Sequence, residues 1–537
     1  MKTHSQRLAA LGLLGILSAP LCIGPTVRAA LRTWDGGGAD NSWTTATNWT
    51  NDVAPSAGDD LLFPPGAARQ VNDNDFLAGT TFNSIIFSGG GYTLTGNAIA
   101  LNAGILATNG AEHRVNNPLT LNSNQTFMLS LGSSSFYLPG AVNLNGKDLT
   151  LAVSLLTIAQ VQAVISGPGS LIKAGTGSLS LYSSNTFSGP LQLNEGTITL
   201  YHAGALGATN GSTDIGATGT LNLLNTVFLA EPLLVSGTLR TFGVGTKVLT
   251  GPITLTATNA TIETTSDNLL TINGLLIGSG GFNKTGSGTL VLNATNTYTG
   301  TTTNASGTLL INGFQPQSPV VLTGGLLGGT GTINTLTKSG SLAATVAPGA
   351  SPGILNTSNV IFRSATTFAV ELSGTTPGIG YDQLNVNGTV TLSNAFLSTS
   401  LGLDPPVGTA YTIINNDGTD AVLGTFNARP EGSIVPVGGK PFQITYTGGS
   451  GNDVVLTRIS PPVALTSVTN LGNGQVQLQA TGGLFGFSYA IEAATNLTGP
   501  IQWSNIGSAV ASGSGAVSFI DTNAPLFPRR FYRALSP

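Results

Sequence analysis

The sequence predicts an all-β chain built as a parallel β-solenoid, and three observations carry that prediction. The first is composition. Of 537 residues, 73 are Gly and 27 Pro, while only 8% are charged, against roughly a quarter in ordinary soluble domains. Ser, Thr, Asn and Gly stand where Glu, Lys, Arg and Gln would cover helices. The second is a pattern of short alternating strands separated by Gly- and Asn-bearing turns. The third is an internal repeat. Lys173 to Gly189 aligns without a gap on Lys284 to Gly300 at an offset of 111, and the register holds through Gly196–Leu200 and Gly307–Ile311. Short strands and frequent turns fit a solenoid or a large sandwich; the solenoid is favoured because like units that each bury only part of their surface find a continuous core by stacking.

In chain order, residues 1–29 are read as a cleaved signal peptide. Lys2 and Arg7 form a basic start, Leu8 to Ile23 is apolar and broken by Pro20, and Val27 and Ala29 occupy the −3 and −1 positions of a cleavage site. Its removal takes Lys2, Arg7 and Arg28 and no acid, leaving 16 basic and 23 acidic residues, net −7; it also takes Cys22 and His4. The mature chain then has no cysteine, so disulfides and thiolate zinc sites are excluded. No later apolar run approaches the length of a membrane-spanning helix. The acidic balance, with a pI of about 5.3, speaks against nucleic acid as a partner.

Residues 30–80 read as an N-terminal cap. Trp34, Trp43 and Trp49 plug an otherwise open first coil in this reading, and stacking on sugar rings is the alternative. Residues 81–370 read as the solenoid, with the full repeats at 166–200 and 277–311 and coils of about 20 to 25 residues. The repeat positions assigned a structural role are Lys173, Gly175, Gly177, Leu179, Asn185 and Gly189 in the first copy, and Lys284, Gly286, Gly288, Leu290, Asn296 and Gly300 in the second. Lys173 and Lys284 themselves are expected at the surface, as solubilising charges.

The succession Lys-x-Gly-x-Gly-x-Leu-x-Leu, Asn-Thr-Phe/Tyr-x-Gly and Gly-Thr-Leu resembles the autotransporter-associated β-strand repeat of bacterial surface passengers. Gly324 to Ile333, Ala347 to Gly353, Tyr381 to Val390 and Gly448 to Leu456 resemble the closing part of such passengers, and Trp34 to Trp49 their opening. The resemblance spans roughly 33–458. It implies a right-handed parallel β-helix of the pectin-lyase type at the cell surface, and it does not imply an enzyme. Residues 371–459 correspond to the terminal β region. Beyond Ile459-Ser-Pro-Pro462, residues 463–537 are expected to form a small β-sandwich, too short for the translocator barrel that ends the family's namesake members.

Candidate chemistry is sparse. Seven of the 23 acids fall within residues 35–75, whereas 113–370 hold six. Asp73 and Asp75 share a strand face and form a possible Ca²⁺ pair, but read better as a solvated edge. Gly448 to Leu456 matches a Ca²⁺ nonapeptide letter by letter, yet stands as a single copy where such sites need stacked copies. His113 and His202 stand alone. The expectation is therefore no catalytic set, no metal and no cofactor. The chain reads as an exported structural or adhesive stalk contacting extracellular glycans or cell-surface matrix, with a glycan-binding protein or polysaccharide lyase or hydrolase as the alternative.

Overall fold

A computed structural model describes residues 29–349 and 351–537. Almost all regular structure is β; among the described residues the only helical segments are single 3₁₀ turns at Ala46–Asn48, Thr50–Asp52 and Ala524–Leu526. A parallel solenoid of about 14 turns makes up most of the chain. Leu149, Leu171, Leu191, Thr213, Leu233 and Ile253 stand in register on successive coils, each 20 or 22 residues after the last. The strands are short because each coil must turn within a few residues. Their two-residue alternation puts every second side chain inside: Leu149–Val153 buries Leu149, Leu151 and Val153 and turns Thr150 and Ala152 outward.

The parallel ladder is longer at both ends than residues 81–370. It begins at Leu31–Thr33, which pairs with Asp60–Phe63, and still runs at Val390–Thr391, which pairs with Val360–Ile361. The Trp-rich segment is thus part of the first coils. All three indoles are fully buried, with Trp34 and Trp49 edge to face at 5.2 Å. Each indole N–H is satisfied: Trp34 donates to Arg69 O, Trp43 to Asn72 Oδ1 and Trp49 to Trp43 O. No indole face is free for a sugar, which removes the stacking alternative and leaves these rings closing the apolar column.

At the other end the pairing changes sense. Ala410–Asn416, Asp453–Arg458, Lys440–Gly448 and Ile434–Val437 pair antiparallel, covering the edge that the last coil would otherwise expose. Gly448 to Leu456 is the tight connection within this sheet. The Asp453 carboxylate accepts the Asn416 and Ser450 N–H groups, at 2.9 and 3.1 Å. The Asn452 amide donates to Asp417 O and Asp420 O. The Ca²⁺-like letters serve here to pin one loop to another.

The remaining segment forms two three-stranded antiparallel sheets. One contains Ala464–Asn470, Val476–Thr481 and Val517–Asp521; the other contains Ser504–Val510, Ser488–Ala494 and Phe531–Leu535. Ala464–Asn470 and Ser504–Val510 are strands that the sequence pattern did not disclose, because alternation in them is weak. Ala480, Phe487, Tyr489, Ala511 and Val517 make a separate apolar cluster.

Candidate functional site

The repeat motif is an internal fitting. Lys173, at the end of Leu171–Ala174, is fully buried; its ammonium donates to Ala174 O at 2.9 Å, to Gly175 O, and to Glu195 O at 3.1 Å on the next coil. Lys284 repeats this at the 111-residue offset, donating to Thr285 O, Gly286 O and Ser306 O at 3.0, 2.9 and 2.9 Å. The expectation of surface charges is corrected here. The turn leaves carbonyls pointing inward without a strand partner, and an ammonium with three donors matches three of them. Burial pulls both amines down to about 8. Two further lysines fill related positions: Lys338 donates to Ser339 O and Gly340 O, and Lys247 to Gly243 O, Gly245 O and the Asn268 amide oxygen.

The motif's other letters have equally local causes. Gly175 and Gly286 sit at φ +73° and +74°, the left-handed region open to glycine. A Cβ at Gly177 or Gly288 would lie 2.2 or 2.3 Å from a carbonyl oxygen of the preceding coil, Ser154 O or Thr265 O. Asn185 and Asn296 are buried. Asn185 accepts the Ile165 N–H of the coil before and donates to Ala205 O of the coil after. Asn296 accepts the Leu276 N–H in the same way. Leu179 and Leu290 are core residues, while Gly189 and Gly300 lie under the neighbouring backbone. The two motif copies do not converge on one place.

Other candidates are likewise engaged by their neighbours. His113 is buried against Phe87, ring centroids 4.3 Å apart. Its Nδ1 accepts the Tyr92 N–H and its Nε2 faces Asn109 Oδ1, and burial pushes it down to about 4, so it is neutral at ordinary pH. His202 Nδ1 accepts the Gly204 N–H. Asp73 accepts from Thr95 in the strand Thr93–Gly96 and Asp75 from the Thr44 N–H in a turn, so the two carboxylates hold different segments. No group of three or more His, Cys, Asp or Glu able to hold a metal ion occurs among the described residues.

Two features were not singled out in the sequence. A cleft of about 300 Å³ is lined by Ala347–Gly349, Ser351, Val370, Glu371, Asp382 and Ser398–Ser400. Its two carboxylates are pushed in opposite directions: burial raises Asp382, while the Ser351 and Ser373 hydroxyls hold Glu371 low. Both Asp382 oxygens accept backbone N–H groups, from Gly353 at 2.8 Å and Glu371 at 2.9 Å, so this acid latches Gly353 onto Thr366–Leu372. The second feature is an outward row that stays in register over eight coils: Arg114, Tyr137, Gln160, Ser180, Thr199, Asn222, Arg240 and Glu263. The Arg114 guanidinium lies 3.8 Å over the Tyr137 ring and pairs with Glu112. Arg240 pairs with Glu263 at 2.7 Å. Beside the row, Tyr182 and Tyr201 stack with centroids 4.1 Å apart. Only the register of stacked coils, invisible in a linear sequence, brings these residues into line.

The ladder, its inward cations and its outward row define a parallel β-solenoid repeat protein. Comparison with known proteins places the repeats: the passenger-associated-transport-repeat model matches residues 171–200 and 282–311, the two segments built around Lys173 and Lys284. The chain thus carries two copies of a passenger-associated-transport repeat and resembles autotransporter passenger-type repeat proteins. It is 34% identical over 159 residues to the adhesin BmaC autotransporter of Brucella suis biovar 1 (strain 1330), covering 29% of this chain and 4% of that protein. It is 31% identical over 215 residues to an extracellular serine protease of Serratia marcescens, covering 38% of this chain and 19% of that one. The chain thus spans less than a fifth of the length of either curated relative. Among the described residues no helix is long and apolar enough to cross a membrane.

Proposed function

We propose that this chain is exported to the cell surface or released from it, and that it acts as a structural or adhesive stalk contacting extracellular glycans or matrix along one face. The observation that carries this reading is the eight-coil outward row. Its charged members at either end are already paired, to Glu112 and within Arg240–Glu263, and in its middle Gln160, Thr199 and Asn222 are part-exposed, with Asn222 bonded to Thr199, while Ser180 is buried beneath them. Such a face offers many weak donors and acceptors at a regular spacing, where repetition raises avidity without any strong single site. The similarity to an adhesin passenger supports the same reading. The test is binding of the purified mature protein to immobilised glycans, matrix and cells, with a variant carrying Gln160→Arg and Asn222→Arg on the row. We expect binding without product and at least about a tenfold loss in the variant.

A second reading, a glycan-active enzyme, is favoured by the pair Glu371 and Asp382, whose opposed environments are what acid and base partners require. Release of reducing or unsaturated sugar from uronic-acid polymers, abolished by Glu371→Gln, would establish it in place of the first.

A further inference from the structure

The structure assigns to Asp59 the role of receptor for the α-amino group of the mature chain, created by cleavage between Ala29 and Ala30. This rests on the exported reading above and adds to it a partner for the new terminus and a reason for the position of the cleavage. Asp59 is 7% exposed. Its Oδ2 accepts from Arg32 Nε at 2.9 Å and from the Ser56 N–H at 2.9 Å. Its Oδ1 faces the Ala30 nitrogen at 3.2 Å. Ala30 O in turn accepts the Asp60 N–H at 2.9 Å, and Leu31 to Thr33 pair in register with Asp60 to Leu62.

In the uncleaved chain the Ala30 nitrogen is an ordinary amide with one hydrogen. Hydrolysis of the Ala29–Ala30 bond by water turns it into an ammonium with three hydrogens and a positive charge, already within reach of a shielded carboxylate. A charge-assisted bond of this kind is about twice as strong as the neutral one it replaces. The charged groups that neighbouring elements bring to this corner are Asp59, Arg32 and Asp60. The Asp60 carboxylate is occupied by the Asn83 amide at 2.7 Å and the Ser84 hydroxyl, which leaves Asp59 Oδ1 as the acceptor at Ala30. Burial works to raise the Asp59 carboxyl, yet the Ser56, Arg32 and Ala30 donors hold it below the usual carboxylate range, so it is ionised when the new terminus appears. The scissile bond also lies one residue outside the first paired residue, Leu31, where docking of the first strand does not bury it. Removal of the leader therefore tightens the exposed first coil of the solenoid instead of fraying it.

The test compares two chains starting at Ala30, one with a free α-amine and one acetylated there, by hydrogen exchange of the Arg32 and Trp34 amides at pH 6. We expect about tenfold slower exchange in the free-amine chain, the equivalent of one pKa unit. The difference should vanish in Asp59→Asn, and in the unmutated chain at a pH above the titration of the amine. Equal exchange in the free and acetylated chains overturns the assignment, whether or not Asp59→Asn folds. Separately, exported protein should begin at Ala30 by N-terminal sequencing, and cleavage elsewhere also overturns it. Failure of the chain to leave the cell would overturn the exported reading instead, while the acetylation comparison still decides the role of Asp59.

Discussion

The solenoid and the C-terminal pair of sheets bury their cations in opposite ways. In the solenoid, Lys173 and Lys284 rest on three backbone carbonyls each. In the C-terminal unit, Arg530 sits on the carboxylate of Asp521, which is 3% exposed and also accepts the Tyr532 hydroxyl at 3.0 Å. A coil that repeats every 20 or so residues produces orphan carbonyls at each turn, and an ammonium is the donor that fills them without adding an acid. A unit of two small sheets has no such recurring vacancy, so its buried arginine needs a counter-ion. The difference explains how one chain can hold so few charges and still place several of them inside.

The comparison is broken most severely by removing the counter-ion. Asp521→Ala leaves Arg530 buried and unpaired, and should remove about 3 to 5 kcal/mol from the C-terminal unit while leaving the solenoid's melting transition in place. Thermal unfolding followed by limited proteolysis separates the two regions. Next, Gly288→Val pushes a branched side chain into the Thr265 carbonyl, where even a Cβ would stand at 2.3 Å. We expect a loss of about 3 kcal/mol from overpacking, visible as a lowered solenoid transition.

The lysine cages should respond more gently. Lys284→Met keeps the volume but leaves Thr285 O and Ser306 O without the ammonium and Gly286 O with only the Ser306 hydroxyl, for a loss of about 2 kcal/mol measured by denaturant unfolding. The pH dependence has a definite sign. Both amines titrate at about 8 when folded, against 10.5 for the free side chain, so between these values the unfolded chain binds more protons. Their contribution to stability therefore rises with pH across that window, and the double variant Lys173→Met, Lys284→Met should flatten that part of the curve of midpoint against pH. The smallest effect expected is from deleting residues 463–537 after the Ser460-Pro-Pro462 spacer. The spacer's prolines cannot join a central ladder, and we expect the solenoid's midpoint to stay within about 2 °C. A larger fall would mean that the contacts of Ser536 with Pro461 O and of Arg458 with Pro537 O make this unit a cap on the solenoid.

Much of the architecture was legible because it is local. Alternation in strands such as Leu149–Val153 names the inward residues, and the 111-residue offset identifies stacked equivalents. The glycines of Lys-x-Gly-x-Gly mark a left-handed turn and a close approach between coils. The same alternation also holds a signal that the charge obscures: Lys173 shares the parity of Leu171, which points it inward, whereas its charge argues for the surface, because a buried ammonium needs acceptors that only a folded turn supplies.

By itself, then, the sequence determined the β class, the coil length and the inward face, since these follow from residue-by-residue geometry and from repetition. The tertiary structure alone decided what each inward or isolated polar group meets: carbonyl cages for Lys173 and Lys284, the backbone latch of Asp382, the Ala30 nitrogen opposite Asp59, and the outward row from Arg114 to Glu263. The partners that close each set, Glu195 O and Ser306 O for the lysines, Gly353 for Asp382 and Asp59 for Ala30, lie 22 to 29 residues away along the chain, and coil lengths vary enough that a shift of one residue would turn each side chain to the other face. Stacking register, settled by the packing of the whole column, fixes those encounters.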